Sequence, residues 1–264
     1  MLDIMNVSKA FNKGTPIQKN ALIDLNLHLE KGDFVTVIGG NGAGKSTMLN
    51  AVAGVFNVDK GKITIDGEDV TKTAEYKRAK YIGRVFQDPL KGTAGDMWIE
   101  ENLALALRRG KKRSFRWGIS NKEREMFKNL LTPLDLGLEQ RLSAKVKLLS
   151  GGQRQALTLL MATIKEPKLL LLDEHTAALD PKTAQKVLEL TDEIVNEHHL
   201  TTMMITHNMK DAIKYGNRLV MMHNGHIIYD VSGEEKKKLE VSDLLAKFGQ
   251  ASGGEFANDR MMLS

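Results

Sequence analysis

The sequence predicts an α/β fold with a mixed-sheet core, an N-terminal antiparallel β subdomain and an inserted α-helical subdomain. Three observations support this fold class. Apolar runs at Phe34–Ile38 and Leu169–Leu172 are typical of strands buried on both faces of a parallel sheet. Alternating apolar residues in Leu2–Val7 and Leu22–Leu29 indicate half-exposed antiparallel strands. Between about residues 91 and 160, helical spacing of apolar residues replaces the strand pattern.

Composition limits the possible protein classes. With 264 residues, 42% hydrophobic and 27% charged, the chain can bury a full core as one large or two joined domains. Its net charge of +5 suits an anionic ligand, nucleic acid or an anionic membrane surface, and does not choose among them. The absence of cysteine excludes disulfides and thiolate metal sites. Since no run of apolar residues is long enough, we expect no membrane crossing by this chain.

A glycine-rich stretch follows the first buried strand and fits the pattern G-x-x-x-x-G-K-[ST]. Its residues are Gly39, Gly40, Asn41, Gly42, Ala43, Gly44, Lys45, Ser46 and Thr47. A strand before it and helical spacing after it are the context of a phosphate-binding loop. We expect Lys45 to reach the β- and γ-phosphates of a nucleotide and the Ser46 hydroxyl to bind Mg²⁺. The alternative is a glycine-rich turn followed by an exposed lysine.

Two residues beside predicted strands have open roles. Phe11 lies in a predicted polar loop, where it either stacks on a purine or fills the end of the sheet. Lys60–Gly67 is predicted as a turn, a short strand and another turn. Tyr81–Phe86 is a predicted core strand that ends at Gln87. The Gln87 amide is placed to contact a metal or a water, although a glutamine at a strand end is more commonly a loop hydrogen-bonding residue.

The predicted helical insertion carries the densest basic run, Arg108–Arg113, followed by Phe115, Arg116 and Trp117. Basic residues with interleaved aromatics could contact nucleic acid or lipid headgroups. A solvated loop is the favoured interpretation.

A second glycine-rich turn, Leu149–Gln153, opens another helix. The first N–H groups of that helix form an anion site because they have no partners within the helix. No lysine or strand accompanies this turn in the sequence. We therefore expect it to cap a phosphate that is held elsewhere.

Two acids end the leucine-rich strand, at the position where α/β sheets place their ligand chemistry. Asp173 suits a contact to Mg²⁺, and Glu174 can orient or deprotonate an attacking water. The alternative is that both acids only end the strand. His207 follows a further predicted strand and either binds a γ-phosphate or has a structural role.

The remaining C-terminal elements are predicted from local patterns. Leu219–Met222 and His226–Tyr229 read as a hairpin around Asn224-Gly225. A charged cluster at Glu234–Lys238 and a helix from Ser242 to Phe248 follow it, and then a mobile tail.

The ordered set of motifs resembles the ATP-binding cassette (ABC) family of P-loop NTPases, which have a RecA-like core, over about residues 2–232. The resemblance implies that Phe11 stacks on adenine, that Gly39–Thr47 form the Walker A loop, and that Gln87 contacts Mg²⁺ and a partner. It implies metal contacts from Ser46, Gln87 and Asp173, and catalytic roles for Glu174, His207 and Lys45. It also implies that the signature residues Ser150, Gly151, Gly152 and Gln153 close on ATP held by an opposite subunit. His175 departs from the family pattern, in which many members have proline, alanine or serine.

The resemblance implies a biological role as well. Residues 1–232 are expected to form the nucleotide-binding domain, with the helical subdomain inserted at about 91–160, and residues 233–264 a C-terminal helix and mobile tail. Two chains are expected to dimerise head to tail around two ATP molecules with Mg²⁺. The expected protein is the ATPase of a bacterial importer, peripheral on the cytoplasmic face of the cell membrane, with separate permease subunits and an extracytoplasmic solute-binding protein. Amino acids are the candidate cargo, and no nucleic acid is expected. The alternative is a soluble ABC ATPase of an assembly or repair complex, such as iron–sulfur cluster assembly.

Overall fold

The computed structural model describes residues 1–111 and 118–251. Within these ranges the chain forms ten strands: β1 Leu2–Phe11, β2 Lys19–Leu29, β3 Phe34–Gly39, β4 Lys60–Ile65, β5 Glu68–Asp69, β6 Ile82–Val85, β7 Leu169–Asp173, β8 Thr201–Ile205, β9 Arg218–His223 and β10 His226–Ser232. The same ranges contain nine α-helices: α1 Lys45–Ala53, α2 Glu75–Arg78, α3 Ile99–Leu107, α4 Asn121–Leu131, α5 Gly151–Thr163, α6 Pro181–Glu197, α7 Met209–Lys214, α8 Gly233–Lys237 and α9 Val241–Ala251. In this described part, every helix is too short or too polar to cross a bilayer. The predicted C-terminal tail and residues 112–117, which hold part of the basic run, lie outside the described residues.

A six-stranded sheet in the order β10-β9-β3-β8-β7-β6 forms the core. Strands β6, β7, β8, β3 and β9 are parallel, and β10 pairs antiparallel with β9 as the predicted hairpin. The four leucines of β7 are fully buried, as their unbroken apolar run predicts. Because β3, β7 and β8 run in the same direction, their carboxyl ends meet at one edge of the sheet. The loops that follow these three strands therefore build a common site.

The N-terminal part forms a separate four-stranded antiparallel sheet in the order β2-β1-β4-β5. The strands extend beyond the alternating apolar segments, because backbone pairing continues where the side chains become polar. Phe11 is consequently the last residue of β1, paired with Lys19, and not a loop residue as predicted. The mixed and antiparallel sheets, with helices packed around them, confirm the predicted α/β class.

Helices α3, α4 and α5 pack around a shared apolar cluster that includes Ile99, Phe127 and Leu157. Helices α3 and α4 lie within the predicted helical stretch of about 91–160, and α5 begins in it and ends at Thr163. Two cations of the basic run are used internally: Arg108 donates to Glu123 at 3.0 Å, and Arg109 donates to the Ala162 carbonyl at 3.1 Å. Arg109 thereby fixes the end of α3 to the end of α5.

Helices α8 and α9 pack against α7, the helix that follows β8. Leu244 and Phe248 on α9 are buried against Met209 and Ala212 of α7. Within the charged cluster, Lys236 is only 2% exposed and donates to the carbonyls of Tyr215 and Gly216, just past α7. The C-terminal helices are thus joined to the core by apolar packing and by a buried ammonium group.

Candidate functional site

The glycine-rich loop joins the carboxyl end of β3 to the amino end of α1. Gly44 caps α1 with φ of 104°, which favours glycine, and a Cβ there would lie 2.6 Å from the Ala21 carbonyl oxygen. The first turn of α1 contains no acidic residue. Its free N–H groups and positive helix end therefore face the loop without competition, as an anion site requires.

Lys45 lies at the base of this loop and is 5% exposed. Its ammonium donates to the carbonyl oxygens of Gly39 at 2.6 Å and Gly40 at 3.2 Å. Burial lowers the pKa of Lys45, and the charges of Glu174 and Asp173 oppose that shift. The ammonium is thus held inside the loop by neutral carbonyls, which a phosphate can replace as a stronger, charged acceptor.

Asp173 ends β7 beside the start of α1. Its Oδ1 lies 3.4 Å from the Ser46 hydroxyl. Burial raises the pKa of the Asp173 carboxyl, while the Arg84 guanidinium opposes the shift. Among the described residues, no three His, Cys, Asp or Glu side chains form a metal cluster. Mg²⁺ usually needs only one or two carboxylates beside substrate phosphates, so the Asp173 and Ser46 oxygens fit that ion.

Glu174 leaves the sheet with φ of 48°, an uncommon left-handed conformation for a residue with a side chain. Its Oε1 lies 2.7 Å from Nε2 of His207, the second residue after β8. The hydrogen bond to His207 lowers the pKa of Glu174, although burial opposes it. The carboxylate is therefore kept ionised next to the phosphate-binding loop.

One cavity of about 330 Å³ brings most of the predicted nucleotide-binding residues together. It is lined by Phe11, Lys19, Ala21, Glu174, His207 and residues 41–47. Phe11 is 36% exposed and packs edge-on against Phe56, with ring centroids 5.3 Å apart. An exposed aromatic face on a braced ring suits stacking on a base.

Gln87 does not line this cavity. It lies in an adjoining groove of about 600 Å³ with Asp173 and Arg84. Sequence analysis missed Arg84, whose Nη2 lies 3.9 Å from Asp173 Oδ2 and also donates to Asn50 Oδ1. The sequence signal for Arg84 is an arginine within an otherwise apolar strand. Because a buried charge needs a charged or hydrogen-bonding partner, this arginine indicates an acidic or polar partner nearby.

The signature residues also lie apart from the phosphate-binding loop. Ser150 caps α5, and its hydroxyl accepts from the Gln153 N–H at 3.3 Å while the Gln153 side chain accepts from the Ser150 N–H at 3.1 Å. Ser150, Gly152 and Gln153 line another cavity, of about 280 Å³, which shares no residue with the first. The described part of the chain thus carries two separate candidate anion-binding surfaces.

No lysine accompanies the second glycine-rich turn in the sequence, but the fold brings two lysines beside it. Lys182 and Lys186 of α6 line the same cavity as Ser150 and Gly152. A Cβ on Gly152 would lie 2.1 Å from the Thr183 methyl group, so α5 and α6 approach closely at this point. Long-range helix packing brings in the lysines, and no local sequence pattern reports it.

His175 turns away from both cavities. It is 2% exposed, and its Nε2 lies 3.1 Å from the Thr191 hydroxyl of α6. Burial lowers its pKa to about 4, so the imidazole is neutral near pH 7. His175 therefore ties the loop after Glu174 to α6.

Comparison with known proteins finds consistent relatives. The sequence profile described as ABC transporter matches residues 22–177. The tyrosine transport ATP-binding protein of Clostridioides difficile is 47% identical over 251 residues, which cover 95% of this chain and all of the relative. An energy-coupling factor transporter ATP-binding protein of Clostridium tetani is 31% identical, covering 95% of this chain and 85% of the relative.

Solved structures show the same fold. A dimeric ATP-binding cassette in a post-hydrolysis state with bound ADP and phosphate has a TM-score of 0.75 and 29% identity, covering 88% of this chain and 98% of that one. The ADP conformation of another ABC transporter cassette has a TM-score of 0.77 and 27% identity, covering 94% and 98%.

Proposed function

This chain belongs to the ABC transporter family and is an ATPase subunit of a transporter, and from that premise we propose that it drives uptake by hydrolysing ATP as a head-to-tail dimer. The contact between Glu174 and His207 beside the phosphate-binding loop carries the catalytic part of this proposal.

The proposed reaction is an in-line attack of water on the γ-phosphate. Glu174 orients the water and accepts its proton, because the carboxylate is ionised and lies in the cavity of the loop. Lys45, the N–H groups at the amino end of α1 and His207 stabilise the negative charge on the transferred group. Ser46, Asp173 and Gln87 would hold Mg²⁺, which neutralises phosphate charge when bound. Phe11 stacks on the adenine ring.

The dimer is proposed because each chain has two surfaces that do not meet. Ser150 and Gly152 line a cavity separate from that of Lys45 and Glu174, and a related cassette with bound ADP and phosphate is dimeric. In a head-to-tail pair, the signature residues of one chain complete the nucleotide site of the other. ATPase activity per chain should therefore fall as the purified protein is diluted below its dimer dissociation constant. Activity per chain that does not change with dilution would argue against the dimer.

Permease subunits are the proposed membrane partners. The groove around Gln87 also contains Val55 and Phe86, and Leu90, three residues after Gln87, is more than half exposed. Gln87, one of the proposed Mg²⁺ contacts, lies in this groove. A partner bound there can therefore respond to the state of the nucleotide. Chain purified from its own cells is expected to carry an integral membrane protein, which would place it at the cytoplasmic face of the membrane. Recovery with a soluble scaffold alone would instead support the assembly ATPase.

Amino acids, and tyrosine first, are the proposed cargo, delivered by an extracytoplasmic solute-binding protein. The support is the 47% identical tyrosine transport relative, which this chain matches over its whole length. Cells with a chromosomal Lys45→Ala substitution should lose uptake of labelled tyrosine and keep uptake of an unrelated solute. Unchanged tyrosine uptake would remove this cargo and leave the ATPase assignment intact.

A further inference from the structure

A second lysine lies over the phosphate-binding loop, on the strand that faces Phe11. Lys19 begins β2 and is the pairing partner of Phe11 at the end of β1. Residues directly opposite in an antiparallel pair project from the same face of the sheet. A Cβ built on Gly42 would lie 3.0 Å from the Lys19 ammonium, and both residues line the 330 Å³ cavity. The aromatic ring and the ammonium therefore enter one cavity side by side.

Charge pairing in this hairpin leaves Lys19 distinct from its neighbours. Lys9 and Lys13 both pair with Asp59, at 3.4 and 2.9 Å. The one carboxylate that lines the cavity with Lys19 belongs to Glu174, which is bound to His207. Within residues 1–111 and 118–251, Lys19 has no carboxylate within 4 Å. Its exposed ammonium is thus available to an anion in the cavity.

The order of residues along the cavity fixes which part of a nucleotide Lys19 would meet. Phe11 marks the base end, and Lys45, Glu174 and His207 mark the end where the γ-phosphate reacts. Lys19 pairs with Phe11 through the backbone, and its ammonium reaches Gly42 of the loop. Backbone N–H groups of such loops cradle the α- and β-phosphates.

We propose that Lys19 is an additional nucleotide-binding residue, whose ammonium contacts the α- and β-phosphates beside the loop. The inference rests on the proposed ATP site. Because ATP and ADP share these phosphates, Lys19 should contribute to the binding of both. It touches no reacting atom, so its contribution should be seen in the dissociation constants of both nucleotides.

The test is titration calorimetry of the full chain with ATP and with ADP. Lys19→Met, which keeps the alkyl stem, should weaken both nucleotides about three- to fivefold, as expected for an exposed ion pair. Lys19→Arg should keep wild-type affinity within about twofold because it keeps the charge. Lys13→Met is the matched control, since this lysine of the same hairpin pairs with Asp59, and should leave both affinities unchanged. Lys13→Met should also keep wild-type turnover at saturating ATP.

Each outcome decides a separate question. A wild-type chain that binds neither nucleotide would overturn the proposed ATP site itself. If wild type binds and Lys45→Ala does not, equal affinities for Lys19→Met and Lys13→Met would overturn the role of Lys19 alone. A loss confined to ATP would overturn the assignment to the α- and β-phosphates.

Discussion

Nε2 of His207 lies 2.7 Å from Oε1 of Glu174, although the two residues follow different strands and are 33 positions apart. The pairing is possible because β7 and β8 are parallel neighbours, with Asp173 in register with Ile205. It keeps the carboxylate ionised and directs it into the cavity of the phosphate-binding loop. A base and a second polar group are therefore held together beside the loop.

Glu174→Gln should lower ATP turnover by at least about 100-fold, the usual contribution of a general base, and leave the ATP dissociation constant within a few-fold. The amide keeps the shape of the side chain and cannot accept a proton from water. Steady-state kinetics measures turnover, and calorimetry measures the dissociation constant. Glu166→Gln, before the amino end of β7, is the control and should retain full turnover.

If Glu174 and His207 act as a unit, adding His207→Ala to Glu174→Gln should cause little further loss of turnover. A fully additive loss would contradict that unit.

Lys45→Ala should weaken ATP binding by at least about tenfold, because a charge-assisted hydrogen bond to phosphate is lost. Calorimetry gives the dissociation constant directly. The exposed Lys60 of β4 supplies the control, since Lys60→Ala removes the same charge from the chain and should bind ATP normally. Equal binding by the two variants would remove Lys45 from the nucleotide site.

Gly152→Ala should lower the free energy of unfolding by about 1–2 kcal/mol, because the added methyl group would overlap the Thr183 methyl group. Gly151→Ala is a matched control, with its nearest side-chain atom 3.3 Å away, and should be neutral or slightly stabilising. Thr183→Ser removes the methyl group in question and should restore the stability of Gly152→Ala. Urea denaturation measures all three. No rescue by Thr183→Ser would show that the helix contact is not the cause.

Lys236 should make stability rise with pH in the alkaline range. Burial lowers its pKa from 10.5 to about 8 in the folded chain, so between these values the unfolded chain binds more protons. The cost of burying the ammonium is complete below pH 8 and is relieved as pH rises toward 10.5. The free energy of unfolding of wild type relative to that of Lys236→Met should therefore increase by up to about 3 kcal/mol between pH 8 and pH 10.5. Hydrogen bonds from the ammonium to its two carbonyl partners would make this increase smaller.

Urea denaturation between pH 7.5 and 10.5 measures this difference. Lys237→Met is the control because Lys237 is exposed and paired with Glu234, so its stability difference from wild type should stay nearly constant. A constant difference for Lys236→Met as well would mean that the buried ammonium keeps its ordinary pKa.

The fold class and the grouping of the loop residues in one cavity could be predicted because their signals are local. A strand, a glycine-rich turn and a helix occur within 20 residues around Lys45, and unbroken leucines mark β7. The contacts that depend on distant elements could not be predicted. Lys182 reaches the cavity of Ser150 because α5 packs on α6. Phe11 belongs to β1 because backbone pairing with β2 continues past the apolar residues into a polar segment.

Burial of polar side chains was the other limit. The sequence around Glu174 does not indicate that the His175 side chain turns inward to Thr191. The run of five charged residues that contains Lys236 does not indicate that this lysine is buried. Both side chains find polar partners on an element far along the chain. Such partners become visible only when the packing of that element is known.

The packing of α9 on α7 decides how the protein can be shortened in the laboratory. A fragment that ends at Ser232 would lack Leu244 and Phe248 and would expose the apolar side chains of Met209 and Ala212, just after His207. Such a fragment would be prone to aggregation, which would make ATPase rates unreliable. Gene fragments for biochemical work should therefore run at least through residue 251.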